Sequence, residues 1–81
     1  MIYYQAEFRD HKTGLIAGTS KRFNALLELP YCGREVDLPG VGKLTLISRR
    51  DQTRLEDLGN GETLMVYTYD CQPYEPYEER G

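Results

Sequence analysis

Strict alternation of apolar and polar side chains in residues 2–9 constrains the fold more than any other feature of this chain. Ile2, Tyr4, Ala6 and Phe8 occupy one set of alternate positions, and Tyr3, with three polar residues, occupies the other. Successive side chains of a β-strand point to opposite faces, so the pattern predicts a strand with one buried face. Such a strand is stable only within a sheet that has a core packed against it.

Further segments are rich in β-forming residues and are separated by turn signals. Residues 15–19 follow a polar loop ending in glycine and predict the second strand of a hairpin. Residues 35–38 and 43–50 flank a Pro-Gly-Val-Gly turn and predict a second hairpin. Residues 62–69 are the most apolar strand, which we expect to lie in the core.

Residues 20–29 have a different period. Phe23, Leu26 and Leu27 are spaced i, i+3 and i+4, as on one face of a helix. Ser20 can cap the start of such a helix and Pro30 can end it. We therefore predict a helix over 20–29, with a short strand around its last residues as the alternative.

Residues 51–61 are compatible with two structures. Thr53 and Glu56 have the spacing of a capping box, which predicts one helical turn that ends at Gly59. Alternatively, the segment is a strand that pairs across Gly59-Asn60-Gly61 as a hairpin turn. The sequence leaves both possibilities open.

Together these elements predict an α+β fold that is mainly β. We expect a small antiparallel sheet of four to five strands in the order β-β-α-β-β-β, with one short helix on one face. A small SH3-like β-barrel is the alternative. Residues 1–70 form a single β-rich domain in this prediction, and residues 71–81 form an acidic C-terminal tail rich in tyrosine and proline. The predicted core comprises Tyr4, Phe8, Phe23, Leu26, Leu27, Leu44, Leu46, Leu64 and Val66.

The net charge of −3 is concentrated at the C-terminal end. Basic and acidic residues balance over residues 1–69, whereas residues 70–81 contain four acidic side chains against Arg80 alone. A general nucleic-acid-binding domain usually has a clear basic excess, which this body lacks.

No motif indicates catalysis or a bound cofactor. His11 is the only histidine and lies in a predicted loop, while Cys32 and Cys71 are distant in sequence and match no metal-ligand spacing. A chain of 81 residues also leaves little room for a substrate pocket of the usual ~300 Å³ or more. We therefore expect no enzyme activity, no catalytic residues, no metal and no cofactor. The N-terminus has no secretory signal and no apolar run is long enough to span a bilayer, which predicts a cytoplasmic protein with no membrane partner.

The C-terminal tail is the most distinctive segment. It contains two successive Pro-Tyr-Glu units, 73–75 and 76–78, which combine an extended backbone, aromatic contact area and negative charge. We expect a small macromolecule-binding protein whose partner is another protein with a basic surface. One hypothesis is an inhibitor of a host enzyme or nucleic-acid complex, encoded by a phage or mobile element. The predicted partner-binding residues are Tyr67, Tyr69, Tyr74, Glu75, Tyr77, Glu78 and Glu79.

Two alternatives use other parts of the sheet. In the first, the sheet binds nucleic acid: Tyr3, Tyr67 or Tyr69 would stack on bases, and phosphates would contact Arg49, Arg50 and Arg54. Arg49 and Arg50 are adjacent on a predicted strand, so they would point to opposite faces. In the second, the chain is a structural subunit that assembles into a homo-oligomer by edge-strand pairing.

Overall fold

The computed structural model describes residues 1–74, with the backbone but not the side chains of 51–53. Its five strands form one sheet in the spatial order β2-β1-β5-β4-β3. The prediction of a mainly β protein is confirmed. The sheet is open, with different strands at its two edges, so the SH3-like barrel is wrong. The strands are β1 (Ile2–Asp10), β2 (Ile16–Thr19), β3 (Glu35–Leu38), β4 (Gly42–Gly59) and β5 (Glu62–Pro73).

The sheet is mixed, in contrast to the predicted antiparallel arrangement. β1 runs parallel to β5, in a register that extends from Ile2 opposite Thr63 to Asp10 opposite Cys71. The other pairs, β1–β2, β3–β4 and β4–β5, are antiparallel. Side-chain alternation determines which residues share a face, but it carries no information about the direction of the neighbouring strand.

β4 and β5 form a long hairpin, which settles the two possibilities for residues 51–61. This segment belongs to β4, and the helical turn is wrong. Gly59 pairs with Glu62 across Asn60 and Gly61, whose φ values are 54° and 76°. Two central residues with positive φ are the requirement of a type I′ turn, for which Asn-Gly is the preferred sequence.

The predicted helix over 20–29 is also wrong. Only Leu26–Glu28 is helical, as a single 3₁₀ turn. The hydroxyl of Ser20 accepts a hydrogen bond from the backbone N–H of Ala6 at 2.9 Å. Phe23 exchanges two backbone hydrogen bonds with Tyr4, at 2.9 and 2.7 Å. Phe23 therefore pairs in an extended conformation with the part of β1 that β2 does not reach, and this pairing competes with helix formation.

The main core lies on one face of the sheet, which we call the core face. Residues 26–34 cover this face, and Leu29 is their buried side chain. Phe8 and Tyr69 pack with their ring centroids 5.9 Å apart. The strands contribute Ala6, Phe8, Leu38, Leu44, Leu46, Tyr69 and Cys71.

The core prediction is confirmed for the strands and wrong for two leucines of the expected helix. Phe8, Leu44, Leu46, Leu64 and Val66 are buried as predicted. Tyr4 and Phe23 are partly buried against the core. Two leucines are instead exposed, Leu26 by 40% and Leu27 by 88%.

Leu64 and Val66 are buried on the opposite side of the sheet, which we call the polar face. The strand register places Val66 between Gln5 on β1 and Arg54 on β4. Long polar side chains can cover apolar surface with their aliphatic parts, which accounts for the burial of this central strand on both faces. No helix in residues 1–74 is long and apolar enough to cross a membrane.

Candidate functional site

An apolar groove lies between the segment 26–32 and β4, and its volume is about 590 Å³. It is larger than we expected from the length of the chain. We call it the leucine groove, after the two exposed leucines on its wall. Its lining residues are Leu26, Leu27, Leu29, Pro30, Tyr31, Cys32, Ile47, Ser48, Arg49 and Tyr69.

Hydrogen bonds to the sheet hold the segment 26–34 in place. The hydroxyl of Tyr69 donates to the backbone carbonyl of Pro30 at 2.8 Å. Further along, the N–H of Gly33 donates to the carbonyl of Leu46 at 2.7 Å, and the N–H of Leu46 donates to the carbonyl of Arg34 at 2.8 Å. Because these anchors belong to the folded sheet, the groove is largely formed before anything binds to it.

The rim of the groove is apolar and exposed. Leu27, Tyr31 and Ile47 are 88%, 72% and 43% exposed, respectively. Single exposed apolar side chains are normal, whereas several around one concave surface typically mark a site of interaction. Ile47 is brought to the rim by a bulge in β4, where the register with β5 shifts between Leu46 and Ser48.

The groove is mainly apolar. Among the described residues, its lining includes no histidine, lysine, aspartate or glutamate. Arg49 is its charged residue, and the guanidinium lies over the Tyr67 ring, 5.3 Å from the centroid. Burial raises the pKa of Tyr69, so its hydroxyl remains protonated and continues to donate to Pro30 at neutral pH.

The predicted partner-binding tyrosines occupy three different environments. Tyr67 is half-buried under Arg49. Tyr69 is only 1% exposed and is therefore a core residue, with little surface for a partner or a nucleic-acid base. Tyr74 is 38% exposed and has the Lys43 ammonium 5.0 Å from its ring centroid. The other predicted residues, Glu75, Tyr77, Glu78 and Glu79, lie outside the described residues.

Two of the three predicted phosphate-binding arginines are paired with carboxylates on the polar face. Arg50 lies 3.3 Å from Asp70, and Arg54 lies 3.0 Å from Glu7. The hydrogen bond to Glu7 is the main cause of the raised pKa of Arg54. Arg49 lies on the core face, so the structure does not bring the three arginines together. Among the side chains that the structure describes, the polar face therefore has no basic excess of the kind that phosphate binding requires.

Glu7 is the buried charged residue of the polar face, only 8% exposed. Its carboxylate accepts hydrogen bonds from Arg54 at 3.0 Å and from the hydroxyl of Thr68 at 3.1 Å. Tyr3, proposed for base stacking, instead donates its hydroxyl to Glu62 at 3.0 Å. That hydrogen bond raises the pKa of Tyr3. These pairs connect β1, β4 and β5, which indicates a structural role for this face.

The remaining reactive side chains are dispersed. Cys32 is exposed beside the leucine groove, whereas Cys71 is buried, and both are free thiols. Burial raises the pKa of Cys71 to about 11. His11 is exposed in the loop after β1. Over the described part of the chain, no group of three or more histidine, cysteine or acidic side chains is arranged to hold a metal ion.

Comparison of the chain with protein-family models, with curated proteins and with solved structures gives no match in any of the three.

The residues that form the rim of the groove are not predictable from the sequence. The helical spacing places Leu26 and Leu27 in the core, and no sequence pattern singles out Tyr31 or Ile47. The available signal is the apolar run before Pro30, followed by another tyrosine, which is unusually rich for a connection between strands.

Proposed function

We propose that this protein binds another protein, and that the leucine groove receives an apolar segment of the partner. The observation that carries the proposal is the set of exposed apolar side chains on a groove that the sheet holds in place. Protein-binding sites commonly combine a concave apolar centre with a few polar groups that orient the partner.

The charge of the groove specifies the chemistry of the bound segment. Arg49 is exposed at the groove, and the lining residues that the structure describes include no acidic side chain. A partner segment that carries a carboxylate next to a large apolar side chain would complement both features, because the arginine can donate two hydrogen bonds to a carboxylate. Contact with a basic partner through the acidic tail, which the sequence favours, depends on Glu75, Tyr77, Glu78 and Glu79 outside the described residues and remains a prediction. The same holds for the hypothesis of an inhibitor that imitates phosphates.

Selection from a library of displayed peptides tests this proposal, because it does not require the partner to be identified first. Peptides of about 12 residues are selected on the wild-type protein and then on Leu27→Asp, which places a negative charge on the groove wall. Leu15→Asp is the matched control, because Leu15 is 70% exposed in the loop between β1 and β2. We expect enriched peptides that combine apolar and acidic residues, bind the control unchanged, and lose about tenfold or more in affinity on Leu27→Asp.

NMR spectroscopy then locates the binding site. Addition of an enriched peptide should shift the amide signals of residues 26–32 and 47–49, and leave those of residues 15–19 unchanged. A library that yields no binders, or binders equally tight on Leu27→Asp, would contradict the proposal.

Nucleic-acid binding retains a single supporting feature, the Arg49–Tyr67 pair on the core face. Such a pair could contact one phosphate and one base, but it is not extended by Arg50 or Arg54. Fluorescence anisotropy with single-stranded and double-stranded oligonucleotides at low salt discriminates the two functions, since nucleic-acid binding would weaken steeply as salt is added.

A further inference from the structure

The outer edge of β4 carries a short regular stretch with a neighbour on one side only. β3 pairs with Gly42 to Thr45, at the opposite end of the strand. Beyond this, the register of β4 with β5 shifts between Arg49 and Thr53 and again between Asp57 and Gly59. Residues 53–57 form the regular run between these bulges, and in the described structure β5 is their single strand neighbour. Leu55 is the midpoint of this run.

The hydrogen bonds of β5 show which groups of β4 point outward. The N–H of Thr63 donates to the carbonyl of Met1 at 3.0 Å, so the backbone polar groups of Thr63 face β1. Asp57 lies opposite Thr63 and therefore turns its own N–H and C=O away from β5, toward the free edge. The direction of the backbone N–H and C=O groups alternates along a strand. Those of Leu55 therefore also point toward the free edge, whereas those of Arg54 and Glu56 point toward β5.

A second copy of the chain can pair with this edge in one favourable register. In an antiparallel two-fold arrangement, outward-facing residues must lie opposite one another. Centring on Leu55 places each Arg54 opposite Glu56 of the other copy, on the polar face. A two-fold axis at residue 54 would instead place Arg54 opposite Arg54, and an axis at residue 56 would place Glu56 opposite Glu56. Opposite charges across a strand pair stabilise the pairing and like charges destabilise it.

We propose that the protein forms a two-fold symmetric homodimer by antiparallel pairing of β4 with β4, centred on Leu55. The two five-stranded sheets then form one continuous sheet, as in closed two-fold assemblies that use the same surface on both copies. Leu55, which is 64% exposed in the single chain, lies against its counterpart on the core face. The two Arg54–Glu56 pairs between copies lie on the other face, in the closely spaced, non-hydrogen-bonded positions. They extend the contacts that Arg54 makes within each chain, with Glu56 at 3.2 Å and with Glu7 at 3.0 Å. This proposal is independent of the leucine groove.

Proline at position 55 tests the backbone pairing selectively. The N–H of Leu55 points away from β5, so Leu55→Pro removes a donor that the single chain does not use within its sheet, at a position where edge strands tolerate proline. Sedimentation velocity of the full chain from about 1 μM to about 1 mM should show a monomer–dimer equilibrium for the wild type. Loss of one N–H donor from each copy should raise the dissociation constant of Leu55→Pro by about 30-fold. Glu56→Arg should weaken the dimer too, because it places like charges opposite Arg54.

A disulfide test reports the register directly. Leu55→Cys in a Cys32→Ser background should form a covalent dimer in air, because directly opposite residues have Cα atoms about 5.5 Å apart, within the range of a disulfide. Val41→Cys in the same background is the matched control, since Val41 is 51% exposed in the turn between β3 and β4. It should remain predominantly monomeric.

Three results would overturn the proposal. One is a strict monomer over the whole concentration range, which would leave the edge for a strand of a different protein. Another is a dimer with the same dissociation constant in Leu55→Pro and in the wild type. The third is equal cross-linking of the Leu55→Cys and Val41→Cys proteins. Circular dichroism of each variant verifies that the β-sheet is retained.

Discussion

Replacing Tyr69 by phenylalanine removes one hydroxyl group and should both destabilise the protein and loosen the leucine groove. The hydroxyl donates to the Pro30 carbonyl at 2.8 Å, and this is a direct contact between β5 and the groove wall. Tyr69→Phe keeps the buried ring and its packing against Phe8, so its effect reports the contacts of the hydroxyl, of which the hydrogen bond to Pro30 is the one that holds the groove wall.

The size of the effect follows from the contact. A hydrogen bond contributes about 1 kcal/mol net, and a carbonyl left without a partner costs about 1–3 kcal/mol when it is fully buried. Pro30 is partly exposed, so water can replace part of the lost bond and the lower end applies. We expect a loss of about 1–1.5 kcal/mol in the free energy of unfolding. For a domain of this size that corresponds to a fall in Tm of about 5–10 °C.

Tyr67→Phe provides a control on the same strand. Tyr67 is half-buried, and the described residues offer no hydrogen-bond partner for its hydroxyl, so its loss should change the free energy of unfolding by less than about 0.5 kcal/mol. Urea unfolding followed by circular dichroism measures both variants. Amide hydrogen exchange should be faster in residues 26–32 of Tyr69→Phe, because the wall loses one of its anchors. Equal stability of the Tyr69→Phe and Tyr67→Phe proteins would refute the reasoning.

The same hydroxyl gives a dependence on pH. Burial raises the pKa of Tyr69 above its unfolded value of about 10, so folding favours the neutral phenol. This contribution to stability is complete below the unfolded pKa and is lost as the pH rises through the folded pKa. Phenylalanine does not ionise, so the stability advantage of the wild type over Tyr69→Phe should shrink above about pH 10.

Three further predictions concern other parts of the molecule. In a double-mutant cycle, Arg54→Leu alone should lower the free energy of unfolding by about 2 kcal/mol, because it leaves the buried Glu7 carboxylate without its cation. In a Glu7→Leu background the same substitution should lower it by about 1 kcal/mol less. Additive effects of the two substitutions in urea unfolding would contradict the ion pair. A colorimetric thiol reagent at pH 8 should modify Cys32 rapidly and leave Cys71 unmodified until the protein unfolds, since burial raises the pKa of Cys71 to about 11. Rapid modification of two thiols per native chain would show that the core opens. Gly61→Ala should lower the Tm by several degrees, because alanine is strained by about 1 kcal/mol at a φ of 76°. An unchanged thermal transition would argue against the type I′ turn.

The sequence predicts the strands well because their patterns are local. Alternation in residues 2–9 and the apolar run at 62–69 lead directly to β1 and β5, which are neighbouring interior strands of the sheet. Their parallel pairing is not predictable from either segment, because it joins residues about 60 positions apart and depends on which strand edges remain free.

The failure over residues 20–29 has a specific physical cause. The spacing of Phe23, Leu26 and Leu27 fits a helix, but the backbone groups of Tyr4 on the edge of β1 offer Phe23 two hydrogen bonds in an extended conformation. Tertiary pairing thus overrides a short periodic pattern. The leucine groove is not predictable from the sequence for the same reason. Its apolar residues fit a buried helix face, but they are exposed on a connection between strands that forms the groove wall.

The parallel pairing of β1 with β5 has a consequence for how the chain folds. The first strand obtains its central neighbour only after residues 62–71 exist, so during synthesis most of the chain emerges before the middle of the sheet can form. Contacts between such distant segments carry a large loop-closure cost, which slows folding relative to proteins dominated by local contacts. We therefore expect the β4–β5 hairpin to form early, around its tight turn, with capture of β1 as the slow step. During that interval the backbone groups on one edge of the apolar strand β5 are unpaired and open to other chains. Nascent copies of this protein would therefore be most prone to aggregate before β1 docks.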